Sequence, residues 1–149
     1  MNKLKEEHGD KLEVLQFPCH QFGWQEWFGG PEIPNSLKHV RPGNGFETKG
    51  ILMEKCEVNG AKAHPIFQRL RAVLPERNTS FEYEFQNPMG TQHNSGFRSA
   101  SHTPVHPTDA IWNFEFWLIA PDGTPFKRYH PHPEQHEKQI TEDLQQLLA

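Results

Sequence analysis

The chain has 149 residues, a net charge of -4 and an isoelectric point near 6.2. A chain of this length is expected to fold as one domain with a sizeable core. The acidic balance argues against nucleic-acid binding, which needs a clustered basic face, and no apolar run approaches the roughly 18 residues that span a bilayer. The two cysteines lack a CxxC spacing and make no disulfide framework, which favours a reducing compartment.

The chain begins with a charged segment that ends at Gly9, and this predicts the last turns of a helix. Leu12–Phe17 then alternates between two faces, as in a strand. Pro18 ends that strand because proline has no N–H for the ladder. The loop Cys19–Gln25 follows at the carboxyl end of the strand, which is where ligands bind in open α/β sheets.

The next predicted helix is Pro31–Val40. Its apolar positions share one face: Ile33, Leu37 and Val40. Pro42–Gly45 stops this helix, Ile51–Met53 predicts a short edge strand, and Asn59–Gly60 predicts a turn.

A third predicted helix begins at Pro65 and ends before Pro75. The residues on its buried face are expected to be Ile66, Phe67, Leu70 and Val73 or Leu74. The long segment 76–108 is rich in Ser, Thr, Asn, His and Gly and is expected to be irregular. Within it, Phe81–Phe85 alternates as in a short strand.

Ala110–Ile119 predicts a hydrophobic strand. The side chains on one of its faces are Trp112, Phe114, Phe116 and Leu118. The turn Pro121–Gly123 leads to the hairpin partner Pro125–Tyr129, and a final helix follows Pro133. Strands and helices in this order are typical of a thioredoxin-like α/β fold.

Four motifs resemble the glutathione peroxidase family. They are FPCHQFGWQE from Phe17, WNF from Trp112, HVRPG from His39 and KCEVNG from Lys55. The last two are similar to the tetrameric, glutathione-type branch. The resemblance runs from Met1 to about Tyr129. It implies a thioredoxin-like enzyme that reduces hydrogen peroxide and organic hydroperoxides with glutathione, as an antioxidant in the response to oxidative stress.

The same resemblance implies that residues 1–149 form a single domain that is incomplete at its N-terminus. In the family, a segment like Met1–Leu4 closes the helix that carries the reactive selenocysteine or cysteine, and a strand precedes that helix. We expect a truncated selenoprotein without its nucleophile, and negligible activity from this chain alone. A selenocysteine codon taken for a stop would place a start at Met1. The alternative is a non-catalytic thioredoxin-fold subunit or a truncated inactive fragment.

By the resemblance, Gln25, Trp112 and Asn113 are the catalytic residues that accompany the reactive one. Their carboxamide and indole N–H groups can donate hydrogen bonds to a thiolate or selenolate, which lowers its pKa. Each residue alone would be interpreted as core or solvated loop, so the joint pattern carries the prediction.

Neither cysteine is predicted to be the nucleophile. Cys19 follows a buried strand and Pro18, where cysteine acts as a small hydrophobic residue, and Cys56 is interpreted in the same way. Thioredoxin-dependent members of the family carry a resolving cysteine near the position of Leu37. Its absence from this sequence favours glutathione as the reductant.

Arg41 and Arg128 are expected to bind the carboxylates of glutathione, which suit the guanidinium fork. Where the family shows further arginines, this chain has His130 and His132. With His136 these histidines suggest a metal site, but no carboxylate or cysteine stands at a familiar spacing, so we expect no metal. The resemblance also implies glutathione as co-substrate, no further cofactor and a homotetramer. The compartment stays open between cytoplasm and secretion.

Overall fold

The computed structural model describes residues 1–75, 102–110, 113–129 and 133–148. A 3-10 turn, Gly9–Lys11, follows the first helix. The helices are α1 Asn2–His8, α2 Glu32–His39, α3 Pro65–Val73 and α4 Pro133–Leu148, and the strands are β1 Leu15–Gln16, β2 Ile51–Leu52, β3 Phe116–Ile119 and β4 Pro125–Tyr129. The chain forms two compact units, the first of residues 1–20 and 24–56 and the second of residues 21–23 and 57–149. The single domain stays a prediction.

In the first unit, α1 ends at Gly9 as predicted, and Gly9 takes a φ of 55° that side-chain-bearing residues rarely adopt. Polar contacts tie the helix to residues far along the chain. The carboxamide of Asn2 donates to the Glu47 carbonyl at 2.9 Å and accepts from the Lys49 N–H at 3.0 Å. One Asn side chain therefore satisfies two backbone groups of a loop.

The strand predicted over Leu12–Phe17 is shorter than expected. β1 pairs in parallel with β2, with Leu15 opposite Ile51, which confirms the short strand predicted at Ile51–Met53. Beyond the paired residues the ladder goes out of register, because Pro18 offers it a carbonyl but no N–H. The Cys56 N–H donates to that Pro18 carbonyl at 3.0 Å.

Helix α2 confirms the prediction of a helix between Pro31 and the Pro42–Gly45 stop. Ile33 is buried as expected. Val40 was predicted on the same buried face, and this is wrong, since Val40 lies at the end of the helix and is 73% exposed. The chain turns back there, with the Gly43 N–H donating to the Leu37 carbonyl at 3.0 Å and Gly43 at a φ of 73°.

In the second unit, α3 begins at Pro65 as predicted and buries Phe67 and Leu70. Ile66 and Leu74 are half-buried, and Val73 is 44% exposed. The ring of His64 caps it by accepting from the Ile66 N–H at 3.3 Å. Proline suits this first turn because its missing N–H has no partner in a helix.

β3 and β4 form the antiparallel hairpin predicted around Pro121–Gly123. Gly123 takes a φ of 84° in the turn, where its N–H donates to the Ala120 carbonyl at 2.9 Å. The strand predicted over Ala110–Ile119 is wrong at Asn113 and Phe114, which lie in a turn, and residues 111–112 lie outside the described residues. Phe114 has a φ of 63° and is 67% exposed, so it leaves the strand before β3 begins.

Helix α4 confirms the last predicted helix and buries Ile140 and Leu144. Tyr129, at the end of β4, is 1% exposed and its hydroxyl donates to Asp143 Oδ2 at 2.7 Å. Lys127 Nζ binds the same oxygen at 2.7 Å. The alternation predicted at Phe81–Phe85 lies outside the described residues.

Candidate active site

Gln25 follows a turn at the end of the loop that leaves β1. Gly23 and Trp24 take φ values of 68° and 50°, and this left-handed backbone ends the turn one residue before Gln25. The Gln25 side chain is exposed. Its carboxamide is therefore available for a ligand, as the sequence analysis requires of a catalytic donor.

Asn113 lies in a turn between Ala110 and β3, in the second unit. Its Oδ1 is buried, and no donor reaches it among the described residues. A buried acceptor of this kind calls for an explanation, such as a bound molecule or a neighbouring group. Gln25 belongs to the first unit and Trp112 lies outside the described residues, so the structure reports Gln25 and Asn113 each within its own unit.

The chain just before Trp112 is held by one buried side chain. Asn59, fully buried, donates from Nδ2 to the Ala110 carbonyl at 2.8 Å and accepts at Oδ1 from the Ala110 N–H at 2.9 Å. Its own backbone is held by Gln21, whose Oε1 accepts from the Asn59 N–H at 3.0 Å and whose Nε2 donates to the Asn59 carbonyl at 3.1 Å. These pairs fix the backbone that leads to Trp112 and Asn113.

Asp109 is the charged centre of the same region. Its carboxylate is paired with Arg71 and with His102 Nε2, and it accepts from the His106 N–H at 2.8 Å. The Asp109 and Arg71 side chains are 8% and 9% exposed. A buried carboxylate is stable only with such partners, so this cluster anchors the segment before Ala110.

Arg128, predicted to bind glutathione, is 2% exposed. Its Nε and Nη2 donate to Glu115 Oε2 at 2.9 and 2.7 Å. Nη1 and Nη2 also reach the carbonyls of Thr108 and Asp109, each at 3.0 Å. The guanidinium also lies 5.1 Å from the centre of the Trp117 ring. This geometry favours a structural role, while the glutathione contact stays a prediction.

Arg41 is placed differently. It is exposed and follows α2, at the start of the turn that ends that helix. Its backbone N–H donates to the Ser36 carbonyl at 2.9 Å. The backbone is thus fixed while the side chain reaches solvent, as a carboxylate-binding arginine needs.

Cys19 and Cys56 are both thiols and both half-buried. Burial, and then the nearby Cys19, raise the pKa of the Cys56 thiol to about 11. A thiol with so high a pKa has almost no thiolate at neutral pH, and thiolate is the reactive form. Cys56 is therefore unsuited to attack a peroxide first.

The histidine-rich bend, which was predicted to bind no metal, lies mostly outside the described residues, since His130 and His132 are not among them. His136 is 1% exposed. No group of three metal-binding side chains occurs in the part of the chain that the structure describes. Within the same ranges, no helix is both long and apolar enough to cross a membrane.

The hydrogen-bonded network of Gln21, Asn59, Arg71 and Asp109 was not predicted from the sequence. A signal was present for Asn59, which stands in the KCEVNG motif but was interpreted only as a turn residue. Asp109 and Arg71 gave no local signal, because 38 positions separate them and their pairing depends on the fold.

Comparison with known proteins gives one consistent result. A family model described as Glutathione peroxidase matches residues 1–71. Glutathione peroxidase of Molluscum contagiosum virus subtype 1 is 47% identical over 87% of the chain, and Glutathione peroxidase 1 of Hylobates lar is 46% identical over 100% of it. The chain spans 55% of the viral protein and 69% of the Hylobates lar protein.

Among solved structures, the crystal structure of T. cruzi GPX1 matches with a TM-score of 0.54 at 23% identity. The match covers 99% of this chain and 67% of that one. It confirms the predicted thioredoxin-like fold.

Proposed function

Because this chain belongs to the glutathione peroxidase family, we propose that it serves the reduction of hydrogen peroxide and organic hydroperoxides by glutathione, in the response to oxidative stress. The observation that carries the proposal is the 46% identity to a glutathione peroxidase over the whole chain, with Gln25, Trp112 and Asn113 standing in the family's motifs. Glutathione is the co-substrate, and the proposal includes no other cofactor.

Gln25, Trp112 and Asn113 act in this proposal as hydrogen-bond donors to the peroxidatic anion. Donors to the charged form lower the pKa of a selenol or thiol and keep it reactive at neutral pH. The buried Oδ1 of Asn113 leaves its NH₂ group as the end that would face the anion. Cys56, whose pKa is about 11, is a poor peroxidatic residue, and Cys19 has no role in the turnover proposed here.

The reaction balances with two molecules of glutathione. The selenolate or thiolate attacks the outer oxygen of the hydroperoxide, the O–O bond breaks, and the alcohol leaves with a proton. One glutathione then displaces the oxygen as water, and a second restores the anion and releases glutathione disulfide. The donors favour the first step because they keep the attacking residue ionised at neutral pH and stabilise the charge that develops on the leaving oxygen.

For the glutathione carboxylates, we propose Arg41 as the first contact, because it is exposed and its backbone is fixed by the turn. Arg128 stays a proposed second contact, although Glu115 already engages its guanidinium. The two roles separate in kinetics. Arg41→Lys should raise KM for glutathione, since lysine cannot form the bidentate pair, whereas Arg128→Lys should lower stability.

We also propose a homotetramer. The segment Arg41–Gly45 that matches the tetrameric branch is largely exposed, apart from the buried Gly43. Light scattering at several protein concentrations tests this, and a monomer throughout the range would contradict it.

The test of the catalytic assignment is a coupled assay with glutathione, glutathione reductase and NADPH. The protein made from its full reading frame, with any in-frame UGA read as selenocysteine, should turn over hydroperoxide, and the 149-residue chain alone should do so far more slowly. In the active protein, Gln25→Ala and Asn113→Ala should each lower the peroxide rate on the order of 10²-fold, as for a lost oxyanion donor.

The matched control variants are Gln145→Ala and Asn35→Ala, which change the same residue types at exposed positions and should leave the peroxide rate unchanged. Full activity in both site variants would remove the assignment. No turnover from the full reading frame would favour the non-catalytic alternative.

A further inference from the structure

The backbone beyond the β1–β2 ladder pairs the segments that carry the two cysteines. In a parallel ladder, a residue whose N–H binds the carbonyl of residue i−1 stands opposite residue i. Ile51 binds the Val14 carbonyl at 2.8 Å and stands opposite Leu15. Cys56 binds the Pro18 carbonyl at 3.0 Å, so it stands opposite Cys19.

A bulge produces this pairing. Continuing the register of Leu15 with Ile51 would set Lys55 opposite Cys19. One extra residue on the second segment brings Cys56 there instead, as in a β-bulge, which turns a side chain to a new direction. Lys55 is turned away and donates to the carbonyls of Glu26 and Trp27, each at 3.3 Å.

The spacing fits a disulfide. Neighbouring strands lie about 4.8 Å apart, and disulfides join Cα atoms about 4.4–6.8 Å apart. Both side chains are half-buried, so small oxidants reach them. In agreement with this spacing, the charge of Cys19 is the second cause of the raised pKa of Cys56, after burial.

We propose that Cys19 and Cys56 form a reversible dithiol–disulfide site that is oxidised by hydroperoxides and reduced by low-molecular-weight thiols. It is distinct from the catalytic donors, and it stands whether or not the proposed peroxidase activity is confirmed.

The chemistry starts at Cys19. Cys56 is the poorer first nucleophile, because the raised pKa of its thiol leaves little thiolate. The Cys19 thiolate attacks the outer oxygen of the hydroperoxide, the O–O bond breaks, and the alcohol leaves with a proton. Cys19 is then a sulfenic acid.

Cys56 completes the reaction. Its sulfur attacks the Cys19 sulfur, the S–OH bond breaks, and the hydroxide leaves as water with the Cys56 proton. In total, two thiols and one hydroperoxide give one disulfide, one alcohol and one water. Two molecules of a thiol such as glutathione reverse it by exchange and become a disulfide themselves.

The cross-link would close a loop that contains Gln25, α2 and Arg41. Closing a loop restricts the unfolded chain and thereby raises stability. Oxidation would therefore stiffen the segment that carries one catalytic donor and the proposed glutathione arginine.

The test treats the 149-residue chain with hydrogen peroxide and follows it by intact mass and non-reducing peptide mapping. We expect loss of two hydrogen atoms, a peptide that joins Cys19 to Cys56, and recovery of both thiols with dithiothreitol. The cross-link should form at least about tenfold faster in buffer than in concentrated urea, because the fold holds the sulfurs together.

Single variants show the order of the steps. In Cys56→Ser, a dimedone adduct should accumulate on Cys19, and in Cys19→Ser the adduct on Cys56 should form far more slowly. Equal rates in buffer and urea, or only disulfides between chains, would overturn the proposal. Circular dichroism of each variant confirms that the fold is kept, and the wild-type comparison in urea needs no variant at all.

Discussion

The two units of the chain differ in how far their ion pairs are exposed to solvent, and the most buried pairs lie in the second unit. In the second unit, the Arg128–Glu115 pair is 1% exposed on both side chains. In the first unit, the Lys38–Glu47 pair is 43% and 70% exposed, and Lys49–Glu6 is similarly open. Breaking a buried pair strands a charge away from water, whereas exposed pairs are replaced by hydration. Breaking the Arg128–Glu115 pair should therefore cost stability, whereas breaking Lys38–Glu47 or Lys49–Glu6 should cost hardly any.

Their aromatic residues differ in the same direction. Trp27 and Phe28 in the first unit are 74% and 44% exposed, while Tyr129 in the second unit is 1% exposed. Burial of a large aromatic side chain is a main source of stability. Tyr129 thus contributes more stabilising burial than Trp27 or Phe28, although Phe114 in the second unit is itself 67% exposed.

The largest expected effect breaks the buried pair. Glu115→Gln should lower the free energy of unfolding by about 3–5 kcal/mol, because Arg128 keeps its charge in a buried site without a carboxylate. Urea unfolding followed by circular dichroism measures it. The matched variant Glu47→Gln should leave the midpoint unchanged within error. Equal losses in the two variants would break the comparison.

The next effect concerns the uncharged clamp of the second unit. Asn59→Ala should cost about 2–3 kcal/mol, because both backbone groups of Ala110 lose their partner while buried. The exposed helical residue Asn35→Ala, in α2, should shift stability by no more than about 0.5 kcal/mol. A small effect at Asn59 would show that water replaces the carboxamide.

A smaller loss is expected at Tyr129. Tyr129→Phe removes the hydroxyl that donates to Asp143 and should cost about 1–2 kcal/mol. Asp143 keeps Lys127 as a partner, which limits the loss. The matched variant is Phe126→Leu in the same strand, which keeps Asp143 satisfied. If Tyr129→Phe leaves the melting temperature unchanged, the hydrogen bond contributes nothing net.

The smallest effect lies in the first unit and depends on pH. The Cys56 pKa is raised from 9.0 to about 11, by burial first and by Cys19 second. The unfolded chain loses this proton at lower pH than the folded one. The contribution is therefore full below pH 9 and is lost as pH rises through about 11. Compared with Cys56→Ser, the wild-type melting temperature should fall more steeply in that window. Parallel curves would refute an elevated pKa.

The elements predicted well from the sequence are those fixed by local chemistry. The Pro121–Gly123 turn and β4 were predicted with their bounds, because proline and glycine specify the backbone themselves. The ends of α1 and α2 followed from glycine and proline in the same way. Long-range contacts decided the rest.

Two cases show that limit. The Ala110 backbone is held by Asn59, which lies 51 positions away in the sequence. The burial of Arg128 depends on Glu115 across the hairpin, and the residues next to Arg128 in the sequence do not reveal it. The usable signal was Glu115 itself, since a carboxylate in so apolar a run requires a buried partner. The catalytic set came from the family resemblance, and Trp112 lies outside the described residues.

The clamp on Ala110 has a consequence for which residues position 59 accepts. The carboxamide of Asn59 presents one donor and one acceptor to a single residue, as the peptide group of an adjacent strand would. Aspartate has the same shape but no donor, so its second oxygen would meet the Ala110 carbonyl with like partial charge. Leucine has neither group, and glutamine is longer by one methylene in a site with no exposed surface. The carboxamide of Asn59 thus takes the place of a main-chain peptide group. Asparagine alone among the common residues has both the polarity and the length that this position requires.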